Sequence, residues 1–573
     1  MLKGIAVSEG IGIGKVILAE EQSLEYIEKT VTDKETEINR LEAAVSDFCE
    51  KTKKQAEELA ISVGKNEADI LLGHISIVHD PFLMGEAEKL IKNGKCAEGA
   101  FAEICDMFIT VFSSSEDEMT KQRSVDVRDV KNGVLRILLG INEIKLSDVP
   151  KGTVIVAKEL TPSMTAGINK NHIAGIITET GGMTSHSAIL ARALEIPAVL
   201  SVDRAAEILR NGDTVIIDGS SGEVIVSPDS AQMENYKERQ RRFIRDKKEL
   251  EIFRGRPTVS ASGETYELFC NIGNPEDALD AMSFDGEGVG LFRTEFLFMD
   301  RLTAPTEDEQ LEAYKRAALT LGEKPLIIRT LDIGGDKDIP CLGLTQEDNP
   351  FMGLRAIRYC LKNRDIFKTQ LRAILRASTS GNISIMLPLI TCIEELRESR
   401  RLIEEIKGEL RSSHIKFNEN IRLGIMVETA SAAVIADVLA KEADFFSIGS
   451  NDLTGYTMAC DRGNADVSYL YSVLQPSVLR IIKRIIFCAK ENNIPVAMCG
   501  EAAADPMLIP LLISFGLTEF SVSPPSVLKV RKYISIWTKQ KADKITEKAM
   551  SLETQGEIYE YLKTVLSSHS SDN

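Results

Sequence analysis

One histidine in this chain stands in a setting suited to carry a phosphoryl group. In ITETGGMTSHSAILARALEIP, residues 177–197, a β run meets Gly181-Gly182, then Thr184-Ser185-His186, then an apolar helical run. Thr184 or Ser185 can cap that helix. His186 then falls in the first turn, where unpaired N–H groups and the helix dipole favour an added phosphate. The glycines allow close backbone approach. Imidazole is a capable nucleophile near neutral pH and forms covalent intermediates. Taken alone, a first-turn histidine is more often structural. It gains meaning only beside a site that can supply a phosphoryl group.

The C-terminal half offers such a site. Arg293-Thr294-Glu295 follow the β run EGVGLFR, and Arg329 and Asp332 lie in KPLIIRTLDI, followed by Gly334, Gly335, Asp336 and Lys337. Glu428 lies near the end of IRLGIMVET, Asn451 and Asp452 follow ADFFSIGS with Arg462 beyond them, and Cys499-Gly500-Glu501 end IPVAMCGE. Any one of these could be a rim salt bridge. As a set at the ends of five strands they are costly unless a ligand or metal uses them. Arginine forks and a lysine suit phosphate and carboxylate. Glu428 and Asp452 are hard oxygen ligands, and a site with so few carboxylates suits Mg²⁺ completed by substrate oxygens and water. The expected ligand is a small phosphorylated carboxylate, and phosphoenolpyruvate fits. Its dephosphorylation leaves an enolate that needs a proton. A lone cysteine is usually core packing, but Cys499, at a strand end before Gly-Glu, is placed to be the acid.

Two architectures must position these groups. From about residue 259 onward, eight β runs alternate with amphipathic helical runs over roughly 300 residues, the pattern of a (β/α)8 TIM-type barrel with its active site at the strand C-termini. The N-terminal part is also α/β. Residues 1–20 and 146–228 carry short β runs and the His186 helix. Residues 21–145 have 3.6-type spacing and read as an inserted helical bundle of about four helices. Residues 229–258 read as a linker helix whose basic run, KERQRRFIRDKKELEIFRGR, is interleaved with acids and solvated.

Composition narrows the partners. The chain has 573 residues, 43% hydrophobic and 27% charged, with a formal net charge of −18. A basic nucleic-acid face is not expected, nor is a membrane span or a signal peptide. Ten cysteines without a CxxC pair, and six histidines without HExxH, argue against a disulfide framework or a zinc site and suit a reducing, cytoplasmic compartment.

GGMTSHSAILAR, GLFRTEFLFMDR, RTLDIGGDK, NPFMGLRAIR, GIMVET, FFSIGSNDLTGYTMACDRGN and MCGE resemble enzyme I of the bacterial phosphoenolpyruvate:sugar phosphotransferase system. The resemblance runs through essentially the whole chain in order, including GHISIVHDPF and VDVRDV in the helical block. It implies that the α/β domain of residues 1–20 and 146–228 is a swivelling phosphohistidine domain with His186 phosphorylated. It implies that Arg293, Arg329, Lys337, Arg355, Asn451, Asp452 and Arg462 hold phosphoenolpyruvate, that Glu428 and Asp452 bind Mg²⁺, and that Cys499 is the proton donor. It further implies that the acceptor is the phosphocarrier protein HPr, bound by residues 21–145, with Arg123 and the region of His74 as candidates. Self-association would be a homodimer through the barrel.

Three positions depart from the pattern. Met183 replaces a basic residue and gives the GGMTSH form found in pyruvate phosphate dikinase, while Ala430 and Gly455 replace a proline and a glutamine. A dikinase or phosphoenolpyruvate synthase is the rival enzyme, but only about 185 residues precede His186 and no P-loop lies among them. A regulatory relative without chemistry is the other rival, and no site residue is missing.

Overall fold

The computed structural model of the protein describes residues 1–573 apart from 20–23, 63–64, 114–117, 142–145, 147–148, 161–163, 165–167, 183–184, 300, 302, 335–338, 345–346, 462–463 and 572–573. The chain divides into two compact units, Met1–Lys247 and Lys248–Asn573. Among the described residues no helix is long and apolar enough to cross a membrane. All ten cysteines are free thiols.

The first unit is built on an eight-stranded sheet. Its strands are β1 (Leu2–Lys3), β2 (Ile5–Ser8), β3 (Ile11–Leu18), β4 (Thr153–Ala157), β5 (Ile173–Thr178), β6 (Ala198–Leu200), β7 (Thr214–Asp218) and β8 (Glu223–Val226). Their order is β1-β8-β7-β3-β4-β5-β6-β2, so the opening segment supplies both edges. β4 is buried along its whole length, as a strand covered on both faces must be. β6 has three residues, too few to show alternation in the sequence.

Between β3 and β4, among the described residues, run five helices, Lys34–Ser62, Lys65–Val78, Pro81–Lys92, Ala97–Ser113 and Glu118–Leu139, one more than periodicity alone suggests. The break at Asp80-Pro81 is local chemistry. Asp80 Oδ1 accepts from the N–H groups of Phe82 at 2.9 Å and Leu83 at 3.1 Å, and Pro81 opens the next helix. Leu41, Phe101 and Val130 lie in the core of these helices. His74 itself, in the region expected to face a partner, is only 2% exposed. Its Nε2 lies 3.4 Å from Asp126 and its Nδ1 3.8 Å from Asp129, so it fastens one helix to another. Arg123 is exposed.

The helix Ser230–Glu251 buries none of its residues, yet it is fastened on one side. Arg239 meets the buried Asp218 at 2.6 Å, and Gln240 Nε2 donates to Ile11 O at 2.6 Å.

The second unit contains a closed barrel of eight parallel strands in sequence order. They are β9 (Glu267–Ile272), β10 (Val289–Arg293), β11 (Pro325–Arg329), β12 (Asn382–Leu387), β13 (Arg422–Val427), β14 (Phe446–Ile448), β15 (Val496–Met498) and β16 (Glu519–Val522). Each of the eight β runs expected from the sequence forms one of them. Leu291, Ile327, Met386, Met426, Phe445 and Cys499 make one buried cluster, while Phe292, Ile328 and Val427 join a larger cluster with the helices. Alternation along each strand separates the two layers.

Candidate active site

Side chains two apart on a strand share a face. Arg293 therefore follows Leu291 on the inner column of β10, Arg329 follows Ile327 on β11, and Glu428 follows Met426 just past β13. The apolar layer closes the barrel floor, and the charged residues sit above it at the C-terminal mouth.

Two guanidinium groups are held there in a buried chain of carboxylates. Arg329 pairs with Glu295 through Nη2 and with Asp332 through Nη1 at 2.8 Å. Asp332 also meets Arg355 Nη2 at 3.0 Å. Arg355 stacks over the Phe351 ring at 5.5 Å, and its Nη1 reaches Tyr456 OH at 3.5 Å. Burial works against the charge of Arg329, but Glu295, Asp332 and Glu428 overcome it and hold the group cationic. Arg329 Nε, Arg355 Nε, Glu295 Oε2, Thr330 Oγ1 and Ser450 Oγ are buried without a hydrogen-bond partner. Buried polar atoms are rarely left so, and this many at one mouth mark a place for a ligand. Arg293 is exposed.

Glu428 is 1% exposed. Burial, then Asp452 and Asp332, push its carboxyl well above the usual range, against Arg329 and the Leu389 N–H, which donates to Oε1 at 2.6 Å. Gly449 lets the backbone close on it, since a Cβ there would stand 2.6 Å from Glu428 Oε2. Asn451 and Asp452 lie in the first turn of the helix Ser450–Met458. A surplus of carboxylate with hard oxygen donors is the electrostatic condition that a divalent cation relieves.

Cys499 lies just past β15, 3% exposed, with its thiol 3.7 Å from Ile448 O. Burial pushes the thiol up to about 11; the neighbouring Ser447 hydroxyl opposes this, the Glu428 charge adds to it, and Arg329 and Arg293 oppose it. The group stays a protonated acid at neutral pH.

In the first unit, His186 opens the helix His186–Ala193. Ser185 is its cap, accepting from Ala188 N–H at 3.3 Å. Gly181 takes φ +109°, a left-handed conformation suited to glycine. The His186 side chain, Thr184 and Met183 lie outside the described residues, as do Lys337 and Arg462. Of the residues expected at the barrel mouth, the structure brings together Arg293, Arg329, Arg355, Glu428, Asp452 and Cys499. Glu295 and Asp332 were legible only as strand-end charges, and their part in orienting the arginines emerges from the ion pairs.

Family models agree with both units. Residues 247–538 match the phosphoenolpyruvate-binding domain of PEP-utilising enzymes, residues 149–222 their mobile domain and residues 3–123 their N-terminal domain. The chain belongs to the PEP-utilising enzyme family. Within it, the chain is 44% identical to the phosphoenolpyruvate-protein phosphotransferase of Bacillus subtilis, over 98% of this chain and 99% of that one. The Listeria monocytogenes protein of the same name is also 44% identical over 98% of each chain, and that of Staphylococcus carnosus is 41% identical over 98% of each. The family uses a divalent metal.

Proposed function

We propose that the protein is a phosphoenolpyruvate-protein phosphotransferase that moves the phosphoryl group of phosphoenolpyruvate to His186 and then to a histidine of HPr. The observation that carries this reading is the barrel mouth, where the open Nε atoms of two buried arginines stand with Glu428 and Asp452. That is donor chemistry for a phosphorylated carboxylate. The end-to-end likeness to phosphotransferases supports it.

The arginines bind and orient the anion, with Arg293, Arg329, Arg355, Lys337, Arg462 and Asn451 as its contacts. Glu428 and Asp452 would hold Mg²⁺, which when bound neutralises phosphoryl and carboxylate oxygens. The His186 imidazole attacks phosphorus, a P–N bond forms, and the bond to the enol oxygen breaks. Cys499 gives its proton to the methylene carbon of the enolate, and pyruvate leaves. Residues 1–20 and 146–228 form the phosphohistidine domain in this reading, 21–145 dock HPr, 229–258 link the domains, and 259–573 bind substrate and form the homodimer. The reaction is cytoplasmic.

The test uses labelled phosphoenolpyruvate, Mg²⁺ and purified protein. An acid-labile label on His186 is expected, and none in His186→Ala. Wild-type protein that takes no label refutes the reading.

A further inference from the structure

Behind the mouth, one polar side chain stands inside an otherwise apolar helix face. The helix Arg364–Ala377 buries Phe367, Gln370, Leu371 and Ile374 against the barrel wall. Gln370 is 1% exposed. A buried amide is costly unless its hydrogen bonds are made, and this one makes three. Its Oε1 accepts from Leu331 N–H at 2.9 Å, and its Nε2 donates to Thr294 Oγ1 at 3.0 Å and to Tyr314 OH at 3.2 Å. The Leu331 N–H needs an acceptor, which fixes the orientation of the amide.

We infer that Gln370 is a positioning residue for substrate binding, tying together the ends of β10 and β11. Thr294, which it holds, donates in turn to Arg329 O at 2.8 Å. A closed circuit therefore runs from Gln370 through Thr294 to Arg329 and back through Leu331. Thr294 lies between Arg293 and Glu295, and Leu331 lies between Arg329 and Asp332. The β11–β12 ladder ends with Arg329 opposite Met386, followed by Thr330 N–H to Met386 O at 2.9 Å. Beyond that point the amide of Gln370 takes over the task of the ladder. Tyr314 OH donates to Gln310 Oε1 at 3.1 Å, so the far side of the network leads away from the site.

The inference rests on the assignment of Arg293 and Arg329 to phosphoenolpyruvate. Misplacing a binding group by about 1 Å can cost on the order of a hundredfold. Gln370→Leu should raise KM for phosphoenolpyruvate and lower kcat/KM by at least ~10-fold at a temperature where the variant is folded. Tyr314→Phe cuts the same network on its far side and should lower Tm while leaving kcat/KM within about twofold. Thr294→Val should lower kcat/KM, and combining it with Gln370→Leu should add little, because both open one circuit. Gln370→Glu, nearly isosteric, keeps the Leu331 acceptor but loses the donors, and provides the measurement if the leucine variant does not fold. A kcat/KM for the Gln370 variants no lower than that of Tyr314→Phe overturns the inference. Labelling of wild-type protein reports separately on the proposed function.

Discussion

Arg329→Lys keeps a positive charge at the barrel mouth and removes the fork. In the wild type one guanidinium serves Glu295 and Asp332 through its two Nη atoms and leaves Nε open. A lysine ammonium is a single point on a shorter reach and cannot span both carboxylates and a substrate oxygen. A hydrogen bond to a charged group contributes about 1.5–3 kcal/mol, and Arg329 is 7% exposed, so solvent screens little of it. Losing one internal bond should cost about 2–3 kcal/mol of stability. At roughly 2 cal/mol/K per residue, a unit the size of Lys248–Asn573 should melt about 3–5 °C lower. Losing the substrate contact should lower kcat/KM by about ten- to a hundredfold, since each 1.4 kcal/mol is tenfold. The assay couples pyruvate release to NADH oxidation with HPr as acceptor, alongside thermal melts. A variant within threefold of wild-type kcat/KM would refute the claim that Arg329 binds substrate through its fork.

Cys499→Ala should bind phosphoenolpyruvate, seen as ligand-induced thermal protection, and release pyruvate at least ~100-fold more slowly; normal turnover would assign the proton to another group. Chelation with EDTA should abolish labelling of His186 and Mg²⁺ should restore it; labelling that survives chelation rules the metal out. Glu519, at the opposite end of the barrel, is pushed up to about 7 by burial and by Glu267, against Arg422. The folded state therefore keeps a proton that the unfolded chain releases near 4.5, so this contribution is full below that pH and lost as pH rises through 7. Glu519→Gln should raise Tm at pH 8 by an amount corresponding to at most ~3 kcal/mol, with little change at pH 4.5; parallel melting shifts at both pH values contradict it.

The barrel was legible because each strand carries its own signal. KPLIIRTLDI and IRLGIMVET read as strands without reference to any other part of the chain, and the polar residues at their ends point to one mouth once eight such runs alternate with helices. The Ser185 cap before His186 is equally local. The separation of the helix Pro81–Lys92 from the one before it was less visible, since the boundary is one dipeptide, Asp80-Pro81, inside a continuous amphipathic pattern. The burial of His74 was hidden for a related reason: a polar residue on a helix looks like surface until a second helix brings Asp126 and Asp129 to it. Gln370 did leave a trace, as a glutamine in the apolar stripe between Phe367 and Ile374. What it bonds could not be read from that trace.

By itself the sequence determined which residue types stand at which strand ends, and hence the chemistry of the ligand. Alternation and helical periodicity are local properties of the chain, set within a few residues by backbone geometry. Tertiary structure alone decided the pairing. Barrel closure places Arg329 between Glu295 and Asp332, lets Asp332 reach Arg355, and sets Glu428 close enough to Asp452 to feel its charge. The Glu295–Arg329, Asp332–Arg355 and Glu428–Asp452 contacts join different strands and loops, Arg329 and Asp332 lie three residues apart on one segment, and the strength of all of them depends on burial, which no single segment possesses before the barrel closes.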